Sequence, residues 1–195
     1  MIIIPTLAFA LGYALGSIPF AFIVTKLFGL GDIRQVGSGN VGTTNVLRTG
    51  SKLAAALTLI GDVGKGIIAV LLASPFGEWA AIAAALGAFA GHIFPVWLNF
   101  KGGKGVATYM GILAVLNLPV ALITGATWIT TALVFRISSL SALVAAALSP
   151  LFMYLVGSPV HAAGTAILAA LIFITHRENI SRLISGQEPK IGEKK

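Results

Sequence analysis

Long apolar runs, each close to the length of a membrane crossing, dominate the sequence. They cover residues 2–25, 53–73, 79–98, 138–156 and 160–175. A helix needs about 20 apolar residues to cross the hydrocarbon core of a bilayer. Because 57% of the residues are apolar and only 10% are charged, no stretch remains that could fold alone in water. The runs predict an all-α, polytopic membrane helix bundle that forms a single domain over residues 1–195.

The apolar sequence between residues 106 and 135 is either one long helix or two shorter ones. Asn117-Leu118-Pro119 lies near its middle, and proline removes a backbone donor and clashes with the preceding turn. With a break there, twelve of the thirteen lysines and arginines fall on one side of the membrane. Without it, Arg136 and the five basic residues of the C-terminal tail move to the other side. Cytoplasmic loops are enriched in lysine and arginine, so we predict seven transmembrane helices with the N-terminus outside and the C-terminus cytoplasmic. The twelve residues placed inside are Lys26, Arg34, Arg48, Lys52, Lys101, Lys104, Arg136, Arg177, Arg182, Lys190, Lys194 and Lys195.

Two features of the spans predict how the helices pack. Glycines at positions 12 and 16, and again at 87 and 91, allow helices to approach closely. Asp62 and Lys65 lie three residues apart near the middle of a span. An unpaired charge at that depth costs about 2.5–3.5 kcal/mol, so we expect the two side chains to pair on one helical face. The sequence contains no cysteine, which excludes disulfides and thiolate chemistry.

The first cytoplasmic loop reads GSGNVGTTNVLR, from Gly37 to Arg48. Its letters match the dinucleotide fingerprint G-x-G-x-x-G, but that fingerprint requires a βαβ unit, for which a bundle of membrane helices has no room. Closely spaced glycines nevertheless let backbone N–H groups converge on an anion, and Arg48 adds a full charge. A flexible solvated connector is the alternative, but it needs no such concentration of donors. The other candidate residues of this loop are Ser38, Gly39, Asn40, Gly42, Thr43, Thr44 and Asn45.

The second loop reads NFKGGKGVAT, from Asn99 to Thr108. It is not a Walker A motif, because Gly105 follows Lys104 where serine or threonine is required. Lysines around a Gly-Gly pair at the start of a helix still offer ammonium groups and backbone donors to a phosphate. Positive-inside topology would explain the lysines and leave the glycines unexplained. The candidate residues are Lys101, Gly102, Gly103, Lys104 and Gly105.

The third polar segment is the tail HRENISRLISGQE, from His176 to Glu188. His176, Asn179 and Arg182 follow one another at three-residue intervals and therefore share a helical face. This face is either the wall of a polar pocket or part of an interfacial helix whose arginines bind lipid headgroups. Three such segments on one membrane face indicate binding of more than one anionic group, beside hydrocarbon that could hold an acyl chain.

These three segments resemble the motifs of the bacterial acyl-phosphate:glycerol-3-phosphate acyltransferases. The stretches are GSGNVGTTN, then GHIFPVWLNFKGGKGVAT from Gly91 to Thr108, then HRENISRLISGQE, and the chain is similar to that family over nearly its whole length. One departure is Thr43, where the family usually has alanine. The resemblance implies an enzyme of phospholipid synthesis in the bacterial inner membrane. It would transfer a fatty acyl group from acyl phosphate to the sn-1 hydroxyl of glycerol 3-phosphate, giving lysophosphatidic acid and phosphate.

The resemblance also implies roles for the candidate residues. Phosphate binding is expected of Ser38, Asn40, Thr44, Asn45, Arg48 and Lys104, with Gly39, Gly42 and Thr43 completing the first loop. Lys101, Gly102, Gly103 and Gly105 are expected to bind glycerol 3-phosphate. His176, Arg177 and Asn179 are expected at the rim of the pocket and beside the reacting groups. Of these residues, we expect a catalytic role for Ser38, Arg48, Lys104, His176 and Asn179. The expected partners are the two substrates and membrane lipids, with no cofactor, metal or nucleic acid.

The chemistry of an acyl phosphate suits these residues. It is a mixed anhydride with a good leaving group, so positioning and charge stabilisation should dominate catalysis. The sequence lacks the H-x-x-x-x-D dyad of the other large class of glycerophosphate acyltransferases. We therefore expect a substrate phosphate oxygen to accept the hydroxyl proton, with His176 as the fallback base. His92 is expected to be structural, capping a loop carbonyl at the end of a helix.

A membrane carrier for phosphorylated metabolites is the alternative function. Such carriers usually place their binding groups near the bilayer midplane, in broken helices, with repeat symmetry between the two halves. Here the donors lie at one interface and the halves differ.

Overall fold

The computed structural model describes residues 2–193, which fold into ten α-helices joined by turns and loops. The chain divides into two compact units, Met1–Ile112 and Leu113–Lys195. Lys194 and Lys195, which the charge argument places on the cytoplasmic side, lie outside the described residues. The helices are α1 (Ile3–Gly16), α2 (Phe20–Leu27), α3 (Thr43–Leu47), α4 (Lys52–Ala73), α5 (Glu78–Ile93), α6 (Val106–Leu116), α7 (Leu118–Phe135), α8 (Ser138–Val156), α9 (Pro159–Thr175) and α10 (Arg177–Ile184).

Within residues 2–193, five helical segments are long and apolar enough to cross a bilayer. A sixth is obtained if α9 and α10, which are bent by 63° at their junction, form one span. Helix α6 is apolar but has only 11 residues. The expectation of a multi-pass, all-helical membrane protein is confirmed for the described part of the chain. The five segments are Ile3–Leu27, Lys52–Phe76, Glu78–Leu98, Leu118–Phe135 and Ser138–Val156.

The apolar sequence between residues 106 and 135 forms two helices, as its central proline indicated. Asn117 has an extended backbone and separates them. Its side-chain oxygen accepts a hydrogen bond of 3.1 Å from the Val120 N–H, which caps the first turn of α7. Pro119 occupies that first turn, where a missing N–H is harmless.

The first apolar run also contains a break. Helix α1 ends at Gly16 and α2 begins at Phe20, because Pro19 has no N–H to continue the helical hydrogen bonds. Ser17 caps α1 through its backbone N–H, which donates to the Tyr13 carbonyl at 2.9 Å. The break leaves the Ile18 carbonyl open to a side chain from another helix.

In the first unit, α1 and α5 pack closely through glycines. A Cβ atom at Gly12 or Gly16 would overlap backbone atoms of α5, and one at Gly87 or Gly91 would overlap backbone atoms of α1. The predicted close approach through these four residues is therefore confirmed. Helix α4 packs against both α1 and α5 and completes the centre of the unit.

In the second unit, α7 packs against α8 and α8 against α9. Helix α7 ends at Arg136, whose left-handed backbone (φ 59°) stops the helix. The C-terminal tail returns to this point, since the Ile191 N–H donates to the Arg136 carbonyl at 2.6 Å. The tail is thereby held against the start of α8.

Candidate active site

The first polar loop is organised around the buried side chain of Asn45. Its amide nitrogen donates to the carbonyls of Ile33 at 3.1 Å and Val36 at 2.8 Å. Its oxygen accepts from the Ser38 N–H at 3.1 Å. Asn45 lies on α3, so these bonds tie the preceding turn to that helix. The amide of this predicted phosphate ligand is therefore engaged in holding the loop.

Glycine is required at two positions of this turn. Gly37 and Gly39 have left-handed backbones, with φ of 54° and 70°. A Cβ at Gly37 would also collide with the side chains of Asn45 and Arg48. The guanidinium of Arg48 lies 3.4 Å from the Asn45 oxygen, and the Arg48 side chain is exposed. The glycines thus let Ser38 and Arg48 meet on one side of Asn45.

The remaining candidates of the first loop surround α3. Ser38 and Thr44 are exposed, whereas Asn40 and Thr43 are partly buried. The hydroxyl oxygen of Thr43 is itself buried and has no hydrogen-bond partner among residues 2–193. Gly42 caps α3 in an extended conformation and faces the Asn40 amide.

Asp32 and Arg34, at the start of the same loop, form an exposed ion pair of 2.6 Å. Hydrogen bonds from the Arg34 side chain and backbone lower the pKa of Asp32 to about 2. The charge of Arg34 is neutralised by this ion pair with Asp32. The surroundings of Arg34 therefore differ from those of Arg48, although the two lie on one loop.

In the second loop, the glycine N–H groups bond to the end of α5. Asn99 and Phe100 have left-handed backbones, which turn the chain back towards that helix. The Gly102 N–H then donates to the Ile93 carbonyl at 2.9 Å, and the Gly103 N–H donates to the His92 carbonyl at 3.1 Å. These bonds satisfy carbonyls that a helix end leaves open. The predicted phosphate cradle of Gly102 and Gly103 N–H groups is therefore already occupied by protein acceptors.

Close packing against α5 explains the glycines of the second loop, which the positive-inside rule leaves unexplained. A Cβ at Gly102 would overlap the His92 carbonyl, and one at Gly103 would overlap the His92 ring. A Cβ at Gly105 would overlap the Phe89 ring, and Gly105 has a φ of 87°. The side chain of Lys101 is exposed and that of Lys104 is partly buried. The glycines thus press the loop against α5 and leave the lysines as its charged groups.

Asp62 and Lys65 form the predicted buried ion pair, with 2.8 Å between Oδ1 and Nζ. His92 joins them, because its Nδ1 lies 3.6 Å from the same carboxylate oxygen and 3.1 Å from the Thr108 hydroxyl. The ring of His92 therefore faces Asp62 and Thr108. The expected hydrogen bond from the side chain to a loop carbonyl is replaced by the contact with the Thr108 hydroxyl, and the loop N–H of Gly103 bonds to the backbone oxygen of His92.

In the second unit, the tail is organised by Glu188. Its Oε1 accepts from the Ser139 hydroxyl at 2.7 Å and from the Asn179 amide, and its Oε2 accepts from the Arg182 guanidinium at 2.7 Å. Burial favours the neutral acid, but these three hydrogen bonds outweigh it and hold the pKa of Glu188 below its ordinary value. Asn179 and Arg182 share a helical face, as their spacing predicted.

His176 lies at the bend between α9 and α10 and is buried, 3% exposed. Its Nδ1 lies 2.8 Å from the Ile172 carbonyl. A carbonyl only accepts, so Nδ1 carries a proton. Arg177, the next residue, is exposed.

Sequence reasoning missed two of these structural roles. Glu188 ends the third motif, but no pattern marks it as the acceptor for Ser139 and Asn179. Thr108 and His92 are 16 residues apart, and their contact depends on the fold of the second loop. The signal that could have found these contacts is a carboxylate in a mostly apolar sequence, because a buried carboxylate needs hydrogen-bond donors around it.

The chain is similar to known proteins over most of its length. The family model described as Glycerol-3-phosphate acyltransferase matches residues 6–186. A glycerol-3-phosphate acyltransferase of Brucella ovis is 58% identical over 187 residues, which cover 96% of this chain and 93% of the relative. One of Jannaschia sp. is 60% identical over 184 residues, covering 94% and 91%.

Two solved structures are similar to the chain. Both are of PlsY (YgiH), described as an integral membrane glycerol 3-phosphate acyltransferase, and both are 38% identical in sequence. The glycerol 3-phosphate form has a TM-score of 0.92, with 96% of each chain covered. The lysophosphatidic acid form has a TM-score of 0.90, with 96% of this chain and 95% of the other covered.

Proposed function

The chain belongs to the glycerol-3-phosphate acyltransferase family, and from this premise we propose that it acylates glycerol 3-phosphate. A fatty acyl group passes from acyl phosphate to the sn-1 hydroxyl, and the products are lysophosphatidic acid and inorganic phosphate. One observation carries the proposal: the family match extends from residue 6 to residue 186, so it includes the first two polar loops and the third segment as far as Gly186. The solved relatives in glycerol 3-phosphate and lysophosphatidic acid forms support the same acceptor and product.

In the first loop, we assign phosphate binding to Ser38 and Arg48. Their exposed side chains lie together beside the Asn45 oxygen, and a guanidinium recognises phosphate through paired hydrogen bonds. Asn45 holds this arrangement through its own amide. Asn40, Thr43 and Thr44 are assigned to the wall around it, with the Thr43 hydroxyl as a donor that protein atoms among the described residues leave unused. Gly39 and Gly42 shape the backbone.

In the second loop, Lys101 and Lys104 supply the charge for glycerol 3-phosphate. The Gly102 and Gly103 N–H groups bond to α5, so the glycines serve the site by fixing the course of the loop. Gly105 does the same against Phe89. Two ammonium groups offset negative charge that both phosphorylated substrates bring to the site.

The third motif is assigned to the reacting groups. Asn179 is held by Glu188, and Arg177 stays exposed beside it. His176 lies at the bend between α9 and α10 and is the fallback base. We nevertheless propose a substrate phosphate oxygen as the proton acceptor, because an acyl phosphate needs no strong base. His176→Ala should then retain more activity than Lys104→Ala, and an equal loss would count against proton transfer to a substrate phosphate.

For topology we propose seven spans in the bacterial inner membrane, with the N-terminus outside and the active site on the cytoplasmic face. Support comes from the distribution of lysine and arginine along the sequence. The helix break at Asn117 is compatible with this count. Residues 1–195 are proposed to act as one functional domain.

The experiment is an assay of purified protein in detergent with acyl phosphate and glycerol 3-phosphate. Phosphate release that depends on both substrates, with lysophosphatidic acid formed in equal amount, is the expected result. Arg48→Ala and Lys104→Ala should each lower kcat/KM at least about 100-fold. Arg34→Ala is the matched control, because Arg34 is exposed on the same loop and paired with Asp32. Uptake of glycerol 3-phosphate into liposomes without acylation would instead identify a carrier.

A further inference from the structure

A buried polar cluster lies behind the second loop, formed by Asp62 and Lys65 on α4 and His92 on α5. The side chains of Asp62 and Lys65 are each 3% exposed, and that of His92 is 6% exposed. The Asp62 carboxylate contacts the Lys65 ammonium at 2.8 Å and the His92 ring at 3.6 Å. None of the three is among the substrate-binding residues assigned above.

The cluster reaches three further segments of the first unit. Lys65 Nζ donates to the Ile18 carbonyl at 3.0 Å, in the break that Pro19 makes between α1 and α2. His92 Nδ1 lies 3.1 Å from the Thr108 hydroxyl, in the first turn of α6. Helices α4 and α5, the broken first span and α6 therefore meet at one group of side chains.

This cluster is costly to bury and has no room for a substrate. Replacing a buried ion pair by packed apolar residues is often neutral or stabilising, so stability alone does not explain it. The adjoining cavity has a volume of about 10 Å³ and is lined by Asp62, Lys65, His92 and Gly103, among others. Such a volume is about that of one water molecule. The cluster therefore acts through the residues that it touches.

Those residues lie on both sides of Lys104. Gly103, immediately before it, bonds to the His92 carbonyl, and its Cα packs so tightly on the His92 ring that a Cβ would collide. Thr108, four residues after Lys104, contacts the same ring. Asp62 and Lys65 fix the ring from behind. Lys104 therefore lies between two residues, Gly103 and Thr108, that both contact the His92 ring.

We propose that Asp62, Lys65 and His92 are positioning residues that hold Lys104 in register for the phosphate of glycerol 3-phosphate. The inference rests on the proposed function of the second loop. A shift of about 1 Å in a positioned group can cost 100-fold in rate. The buried ion pair fixes the His92 ring, and the ring holds the loop on both sides of Lys104.

The test compares two isosteric changes that each remove one buried hydroxyl. Thr108→Val removes the contact with His92, and Thr58→Val is the control, because Thr58 is equally buried and its hydroxyl bonds the Ala54 carbonyl of its own helix. Thr108→Val should raise the KM for glycerol 3-phosphate about 3- to 10-fold relative to Thr58→Val. The KM for acyl phosphate and the unfolding temperature should match those of the control.

His92→Phe gives a second measurement, since it keeps a ring beside Gly103 and loses both polar contacts. We expect the same selective rise in KM for glycerol 3-phosphate. An unchanged KM in Thr108→Val overturns the proposal even if His92→Phe fails to fold. Lys104→Ala, assayed in parallel, separates the two levels of inference. If Lys104→Ala is inactive and Thr108→Val is normal, only the positioning role fails; if Lys104→Ala is fully active, the proposed role of the loop fails.

Discussion

At the scale of single residues, the two polar loops with the clearest geometry each depend on one side chain that collects several partners. Asn45 uses its amide to hold the turn that carries Ser38. Glu188 uses its two oxygens to hold Ser139, Asn179 and Arg182. The side chains of Asn45 and Glu188 therefore hold other residues in place and are not the first groups that a substrate would contact.

Asn45→Asp tests this role in the first loop. The carboxylate keeps the shape but has no donor for the Ile33 and Val36 carbonyls, which would then face a buried negative charge. We expect a loss of stability of about 1–3 kcal/mol and at least a tenfold lower kcat/KM, measured by thermal unfolding in detergent and by acylation assay. Gln35→Glu makes the same chemical change at an exposed position of this loop and should leave both quantities nearly unchanged. Equal effects of the two changes would indicate a charge effect without a structural role for Asn45.

The depressed pKa of Glu188 predicts how stability depends on pH. Its ordinary pKa is 4.5 and the folded value is lower, so the carboxylate stabilises the fold above pH 4.5. This contribution is lost as pH falls through the folded pKa. Glu188→Gln should lower stability by about 1.5–3 kcal/mol at pH 7 and should flatten the loss below pH 4.5.

Unfolding temperatures measured from pH 7 to pH 3 check this expectation. Glu178→Gln is the control, because it makes the same chemical change at an exposed position of α10. The control should follow the parent curve. A Glu188→Gln curve parallel to that of the parent through this pH range would contradict the role of Glu188.

At the scale of elements, close helix contacts depend on which face of a helix carries glycine. Gly64 and Gly66 lie two residues apart on α4 and face different surroundings. A Cβ at Gly66 would overlap the Thr108 carbonyl on α6, whereas a Cβ at Gly64 has no atom within 4 Å. The same pattern along α1 and α5 lets those helices touch through their backbones.

Gly64→Ala and Gly66→Ala therefore form a matched pair. Gly66→Ala should destabilise the protein by about 1–3 kcal/mol through overpacking. Gly64→Ala should be neutral or should stabilise by up to about 1 kcal/mol, because alanine is the better helix former. Thermal unfolding in detergent micelles measures both. Equal stabilities of the two variants would mean that α4 and α6 are not in backbone contact.

At the scale of the whole molecule, the periodicity and length of the apolar runs predict the helices. The course of the polar loops depends on contacts between residues that are far apart in the sequence. Apolar runs predicted most of the spanning segments, and the distribution of lysine and arginine favoured the break between α6 and α7. The sequence could not show that the Gly102 and Gly103 N–H groups bond to α5, because this depends on left-handed turns at Asn99 and Phe100. Local patterns likewise do not reveal Glu188 as the partner of Ser139, 49 residues away.

The number and direction of the spans can be measured by cysteine labelling, because the sequence itself contains no cysteine. Single cysteines can replace Gln35 in the first loop, Phe76 in the turn after α4 and Ser185 in the tail, all of which are exposed. Seven spans with the N-terminus outside predict that an impermeant maleimide labels Phe76→Cys in intact spheroplasts. Gln35→Cys and Ser185→Cys should be labelled only after the membrane is opened. The comparison of residues 35 and 185 is decisive, because residues 106–135 separate them along the chain. If that segment crossed the membrane once, Ser185→Cys would be labelled from outside, and the third motif would lie on the opposite face from Arg48 and Lys104.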